Sequence, residues 1–180
     1  MLKLQGPWLV EKLKTYARAP WQDDRIGAYV VGIKQSKYNP NHGPSRFIYI
    51  GAMGSSENAA LRKRVGEFII DAFGFLSHHS AGTRFYEECT SIPLLAKAND
   101  ESDISEIIKR DALSPWDLEF WWYETEDPLC CESLLMRAYE EDFKRLPLLN
   151  KNFNRNGCGC HQRELMSGTY EQGTLYPWKK

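Results

Sequence analysis

The chain has 180 residues, 42% hydrophobic and 26% charged, with a formal net charge of −1, the make-up of one globular domain large enough to bury a core without staples. No apolar run is long enough to span a bilayer, and the opening "MLKLQGPWLVEKL" lacks the basic start, apolar centre and cleavage site of an export signal, so no membrane association and a cytoplasmic location are expected. The charge is uneven: residues 87–142 carry a net −12 while 1–21, 22–86 and 143–180 carry +3, +3 and +5, which permits a cationic face for a polyanion or is plain solvated surface charge.

Taken in chain order, "GPWLVEKLKTYARAP" places Leu9, Leu13, Tyr16 and Ala17 at helical spacing and predicts an amphipathic helix over 6–19. "IGAYVVGIK" and "RFIYIG" are short, β-branched and aromatic, and predict two strands; alternation puts Tyr29, Val31 and Ile33 on one face, and Phe47 and Tyr49 against Ile48 and Ile50. Between them "QSKYNPNHGPS" is dense in turn formers and predicts a long hairpin connection. "MGSSENAALRKRVGEFIIDAFG" offers Ser and Asn caps, then an apolar stripe of Leu61, Val65, Phe68 or Ile69, and Ala72, which predicts a helix. Residues 74–116 lack such a clear pattern and are taken as an insertion, ending with a short helix in "NDESDISEIIKRD". "DLEFWWYET" predicts a strand, and Asp127 followed by Pro128 predicts the capped start of a helix to about Arg145. Residues 151–180, rich in Gly and Asn, predict loops and an extended tail. The sum is a single α+β domain with a small antiparallel sheet flanked by helices.

Three groups stand where a core stripe would hold apolar residues. Arg64 follows Leu61 by three and precedes Phe68 by four, so it shares the sheet-facing stripe while Arg62 and Lys63 do not. Its fork of donors suits phosphate oxygens, and equally a carboxylate partner or a snorkelling arginine. Glu132 precedes Leu135 by three and Tyr139 by seven, a turn past its helix cap. It suits a hard divalent cation or an ion pair with Arg64. Tyr29 and Tyr49 fit either a site or a core with hydrogen-bonded hydroxyls.

Together, "GAY" at 27–29, "YIG" at 49–51, "LRKRV" at 61–65, and "CESLLM" at 131–136 followed by "PLLN" at 147–150 resemble the GIY-YIG nuclease family, over a core of 26–73 and 117–150. The resemblance implies a GIY-YIG-like domain with a three-stranded antiparallel sheet and a metal-dependent phosphodiesterase activity. In it Tyr29 helps to activate the attacking water and Tyr49 orients the water or the phosphate. Arg64 neutralises the scissile phosphate, Glu132 holds one Mg²⁺ (or Mn²⁺), and Asn150, with Asn152 as the other candidate, braces the site. Three departures stand out. Phe68 occupies a position that is often His or Tyr in the family, leaving His78, His79 or Tyr86 to substitute; the hairpin is longer than usual; and Glu132 is farther from Asn150.

The expected substrate is double-stranded DNA, contacted by Lys34, Lys37, Asn39, Asn41, His42 and Arg46 of the hairpin and by Arg62, Lys63, Lys151 and Arg155, unless the hairpin is merely a solvated loop. Lys144 and Arg145 could extend that surface. A compact restriction-type endonuclease fits a core elaborated from within, by analogy. A structure-specific repair or mobile-element nuclease and a non-catalytic binding module are the alternatives. One site per chain implies a homodimer, or transient pairing on DNA, for double-strand cleavage. Cys158, Cys160 and His161 are crowded and lack a fourth ligand, so a zinc site is not expected, and five cysteines without framework spacing read as free thiols.

Overall fold

The computed structural model describes residues 4–10, 26–53, 60–75, 78–90, 112–152 and 176–178. Its centre is a sheet of four antiparallel strands in the order β1-β4-β2-β3, formed by β1 (Leu4–Leu9), β2 (Gly27–Ile33), β3 (Phe47–Ala52) and β4 (Leu118–Glu124). Three α-helices, α1 (Leu61–Ala72), α2 (Ser80–Cys89) and α3 (Pro128–Phe143), and three single-turn 3₁₀ helices, Gln35–Lys37, Pro40–His42 and Pro115–Asp117, complete the described elements. No helix among the described residues is long and apolar enough to cross a membrane.

The central strand β2 is buried along its whole length, which is why "GAYVVGI" has no polar position: layers cover both sides. On one face Tyr29, Val31, Ile33, Phe120 and Trp122 pack with Leu61, Val65 and Phe68 of α1 and Ala81 and Phe85 of α2. On the other, Ala28, Val30, Ile50, Trp121 and Tyr123 pack with Cys131, Leu134, Leu135 and Tyr139 of α3. Each fully buried side chain of this size contributes roughly 1.5–3 kcal/mol relative to exposure.

Two sequence expectations are corrected. The sheet has four strands, not three, because residues 4–9, of which 6–9 were expected to begin a helix, pair antiparallel with β4. Pro7 lacks a donor and could not sit inside a sheet, but β1 is an edge strand whose register shifts between Gln5 and Trp8, so the ladder tolerates it there. Trp8 gains a stacking partner in Trp122, 5.5 Å away. The remainder of the expected 6–19 helix beyond residue 10 lies outside the described residues. The second correction concerns β3. Val31 pairs with Tyr49 but Gly32 pairs with Phe47, leaving Ile48 as an extra residue. This β-bulge breaks the alternation. Ile48 and Tyr49 both join the face that carries Tyr29, while Phe47 and Ile50 turn to the other.

The helices follow their stripes. In α1 the buried residues are Leu61, Val65, Phe68, Asp71 and Ala72. Its N-cap is Ala60, without a side-chain cap; the Ser and Asn cap candidates at 55, 56 and 58 fall outside the described residues. In α3 the Asp127 side chain accepts a hydrogen bond from Cys130 N (3.2 Å) and Pro128 occupies the first turn, as expected. Lys144, in the left-handed region at φ 59°, ends it after Phe143, two residues short of the expected Arg145. The insertion is not an appendage: α2 lies against α1, and a bridge from Thr90 to Leu113 ties its far end to the chain leading into β4. The expected short helix near 100–111 lies outside the described residues.

Candidate active site

Tyr29 sits in the middle of β2, opposite Gly51 of β3, and is 0% exposed. Tyr49 stands two residues before that glycine, and its ring lies back along the strand over it: a Cβ at Gly51 would come within 2.8 Å of the Tyr49 hydroxyl oxygen. Only glycine leaves room for the phenol there. Tyr49 pairs with Val31, two residues from Tyr29 along β2, and so shares its face; the glycine lets it lean toward Tyr29, and the two ring centroids end 5.8 Å apart.

The third member of the cluster is His79. Its Nε2 is 2.6 Å from Tyr29 Oη, fully buried. The residue is the N-cap of α2, and its Nδ1 accepts from Gly82 N at 3.3 Å. Its backbone N–H donates to Asp71 Oδ2 (2.6 Å), and Thr83 Oγ1 also reaches that oxygen (3.4 Å). Asp71, on the buried stripe of α1, thus pins the start of α2. Gly82 completes the fit, since a Cβ there would lie 2.5 Å from Phe68 O; without it α2 could not approach α1 closely enough to deliver the imidazole. Phe68 supplies the walls, stacked on Tyr49 at 5.7 Å and edge-on to His79 at 5.1 Å. The polar contact that Phe68 cannot make is made by His79 from the neighbouring helix.

Charges surround the phenols. Burial raises the pKa of Tyr29 well above its ordinary value, and the neighbouring Tyr49 adds to this while the Arg64 charge opposes it. Burial also raises Tyr49, followed by the negative charge of Glu132, again opposed by Arg64. Both phenols are therefore protonated at neutral pH in the resting protein. Burial, then the Arg64 charge, lowers the pKa of His79 to about 3, so its ring is neutral. Arg64 is half-buried on α1 and its Nη1 donates to Glu67 Oε2 (3.1 Å). That surface pair, with side chains 34% and 23% exposed, is one that solvent weakens, and an incoming phosphate could compete for the guanidinium. Arg84 of α2 adds a second cation that acts on Tyr49 and His79.

The structure thus brings Tyr29, Tyr49, Arg64 and Glu132 into one electrostatic neighbourhood, although α3 packs on the opposite face. Among the described residues no three His, Cys, Asp or Glu side chains cluster as a multi-ligand cage. Glu132, half-buried, fits a different mode, the single carboxylate oxygen donor to a hydrated Mg²⁺ or Mn²⁺. Asn150 stands apart from the reactive cluster and braces it. Its Oδ1 accepts from Ile50 N (3.0 Å) and its Nδ2 donates to Ile50 O (2.8 Å), gripping the backbone next to Tyr49.

The expected DNA contacts divide. Lys37, Lys63 and Lys151 are exposed, and Lys34, Asn39 and Arg62 are half-buried. His42 is buried in the hairpin, accepting from Asn39 N at 3.3 Å. Arg46 serves the sheet: its Nη1 donates to Ile33 O and to the Glu119 carboxylate, and the guanidinium lies over the rings of Phe47 and Trp121. Such stacking contributes about 0.5–1 kcal/mol per exposed contact and more when desolvated. The Asn41 side chain, Arg155, Cys158, Cys160 and His161 lie outside the described residues. Sequence reading had His79 only as one of three substitutes and missed Asp71 and Arg84. Asp71 was legible by the test applied to Arg64, since it lies three residues after Phe68 on the same inward stripe. Compared with protein-family models, curated proteins and solved structures, the chain matches none.

Proposed function

We propose that the chain is a metal-dependent endonuclease of GIY-YIG-like type that hydrolyses phosphodiester bonds in double-stranded DNA, most consistent with a compact restriction-type enzyme. The observation that carries this reading is the pair of phenols from adjacent strands, ring centroids 5.8 Å apart, with the charges of Arg64 and Glu132 both acting on them. In-line hydrolysis needs a group to take the proton of the attacking water, positive charge against the phosphate, and help for the leaving oxygen. The phenols supply the first, and Arg64, reinforced by Arg84, the second. Glu132 would hold the Mg²⁺ or Mn²⁺, which when bound supplies positive charge to the departing 3′ oxygen. Lys37, Lys63 and Lys151 offer the backbone contacts that hold a duplex across the site. Cleavage of both strands requires two copies, as a homodimer or paired on DNA.

A second reading, a nucleic-acid-binding module without catalysis, is favoured by one observation: an apolar Phe68 beside phenols whose protons are held tightly. His79 weakens it by restoring a polar contact to Tyr29. The deciding experiment incubates purified protein with plasmid DNA and Mg²⁺, beside EDTA and Glu132→Ala controls, with the ends of any product mapped. Nicking or linearisation in the first sample alone is expected, with a loss in Glu132→Ala of about 100-fold or more. Equal outcomes in all three would end the nuclease reading, and ends mapping to flaps or junctions in place of duplex sites would move it to a structure-specific repair or mobile-element nuclease.

A further inference from the structure

Antiparallel neighbours such as β2 and β3 can be joined by a turn of two residues, yet residues 34–45 stand between them here. Ile33 N donates to Arg46 O at 2.8 Å, so the two ends of this loop meet. Inside it, Lys37 N and Tyr38 N both donate to Lys34 O (2.8 and 3.0 Å), His42 N donates to Asn39 O (2.9 Å) and Gly43 N to Pro40 O (3.1 Å), which closes the 3₁₀ turns Gln35–Lys37 and Pro40–His42. The Tyr38 hydroxyl donates to Gly43 O at 2.8 Å and ties the first turn to the second. Its ring packs on the core layer that contains Tyr29. Lys34 N donates to Asp117 O (2.8 Å), and His42 and Ser45 are buried. A loop whose ends meet and whose own side chains fill it is a compact structure held in one shape, not a solvated tether.

While His42, Ser45 and Arg46 serve the fold, the first turn holds Gln35, Ser36 and Lys37 out to solvent in succession. The loop has two lysines and no acid. The acids at its base are engaged: Asp117 Oδ2 accepts from Ser114 N at 2.9 Å, and the Glu119 carboxylate from Arg46. The turn also lies close to the phenols. Tyr49 pairs with Val31, and Gln35 is four residues farther along the chain, at most about 13 Å at the rise of a strand. That is the length of about four base-pair steps.

Resting on the nuclease reading above for its substrate, we propose that loop 34–45 is the sequence-reading element of this chain: it enters the major groove of duplex DNA, where Gln35 reads a base edge and Lys37 holds the loop to a phosphate. The major groove admits a whole α-helix, and so also a tighter 3₁₀ turn. The Gln35 amide sets a donor beside an acceptor, which matches the N7 and N6 groups of adenine in that groove. Lys37 brings donors and a positive charge without an acceptor, and every phosphate takes these alike whatever the sequence. The internal bonds of the loop give Gln35 its value as a reader, because a side chain already held in place loses less freedom when it meets a base than one on a loose tether. Gln35 is thereby a specificity-determining residue, and the site it selects is a defined duplex sequence in place of a flap or junction.

The test reads binding separately from cutting. The full chain is mixed with short randomised duplexes, with Ca²⁺ in place of Mg²⁺ so that the DNA stays whole, and the bound duplexes are sequenced. The parent should enrich a motif containing an adenine that Gln35→Ala no longer selects, its discrimination at that position falling by about 5- to 150-fold while the other positions hold. Gln35→Lys should move the preference at the same position to guanine, a gain that misfolding cannot imitate. Lys37→Ala should weaken binding to all duplexes alike and reduce the slope of log affinity against log salt by about one. Tyr38→Phe, which removes the bond to Gly43, should lower discrimination at the Gln35 position by about fivefold. A parent that selects no sequence, or a motif that Gln35→Ala leaves intact, would overturn the proposal. If the parent selects a motif that depends on Gln35 but cuts no plasmid with Mg²⁺, the nuclease reading falls and the reading loop stands; if it cuts plasmid and selects no motif, the reverse holds.

Discussion

His79 holds its neutral ring in a place where a protonated ring would lose both its hydration and its hydrogen bond from Gly82. Burial, with Arg64 adding to it, sets the folded pKa at about 3 against 6.5 for the free side chain. The sign follows by linkage: between these values the unfolded chain binds a proton that the folded one does not, so stability rises with pH through this window and falls on acidification. The contribution is complete above pH 6.5 and lost progressively toward pH 3. By pH 5 the loss amounts to about 2 kcal/mol. Urea unfolding at pH 7.5 and pH 5, for the parent and for His79→Gln, checks this. The parent should lose about 2 kcal/mol more than the variant over that interval, and an equal loss in both would show that the ring is not held neutral by the fold. The glutamine variant keeps the shape of the site but has nothing to titrate, so the difference isolates the imidazole from the carboxylates that also respond to acid.

At the level of elements, β3 does something that its letters do not announce. Strict alternation along "RFIYIG" keeps Phe47 on the face of Tyr49, and the bulge at Ile48 turns Phe47 to the opposite face while Ile48 and Tyr49 stay on that of Tyr29. A bulge depends on what the partner strand and the outer edge demand, neither of which is local to the six residues. The same holds for β1: "LQGPWL" carries helix-compatible apolar spacing and a glycine-proline pair, and only the unpaired edge of β4 and the face of Trp122 make it a strand. What was legible came from strong local chemistry, namely the β-branched run of β2, the apolar stripe of α1, and the Asp127 and Pro128 start of α3. Within the site, Tyr29, Arg64 and Glu132 were legible as misfits or motif members on regular elements, whereas His79 and Arg84 come from a helix with no obvious boundary in sequence. Asn150 guards the weak point, because its amide closes on both polar groups of Ile50 where β3 would otherwise present an open edge. Asn150→Ala should cost about 1–3 kcal/mol in urea unfolding, as expected when partly buried backbone groups lose their partners, and should speed amide exchange at Ile50. Asn150→Asp keeps the acceptor for Ile50 N and should protect that amide better than Ala. Exchange unchanged in the alanine variant would remove Asn150 from the support of Tyr49.

Across the whole molecule the sheet acts as a partition. On one side lie the phenols, His79 and the two helices that carry Arg64 and Arg84; on the other lie the body of α3 and residues 176–178. Trp178 packs edge-on against Phe47 and Tyr139, at 5.8 and 5.4 Å, and its Nε1 donates to Asp142 Oδ2 at 3.0 Å. Tyr176 stacks on it at 5.4 Å. This contact closes the face of the sheet that α3 leaves uncovered near Phe47, and it engages the C-terminal half of α3, whereas Glu132 sits in the second turn of the same helix. The two ends of α3 therefore serve different ends of the fold, one facing the site and one fastening a distant stretch of chain. Trp178→Ala should cost about 2 kcal/mol of stability, below the roughly 3–5 kcal/mol of a fully buried tryptophan because the ring is only partly covered. Because nothing on the phenol side touches it among the described residues, the rate of plasmid cleavage by the folded fraction should stay within about twofold of the parent, the scale of a remote and additive change. Unfolding midpoints and cleavage rates measured at 15 °C on the same preparation separate the two effects. A cleavage rate that falls tenfold in protein still fully folded would mean that α3 transmits strain from Asp142 to Glu132, and that the sheet does not insulate the site from its far face.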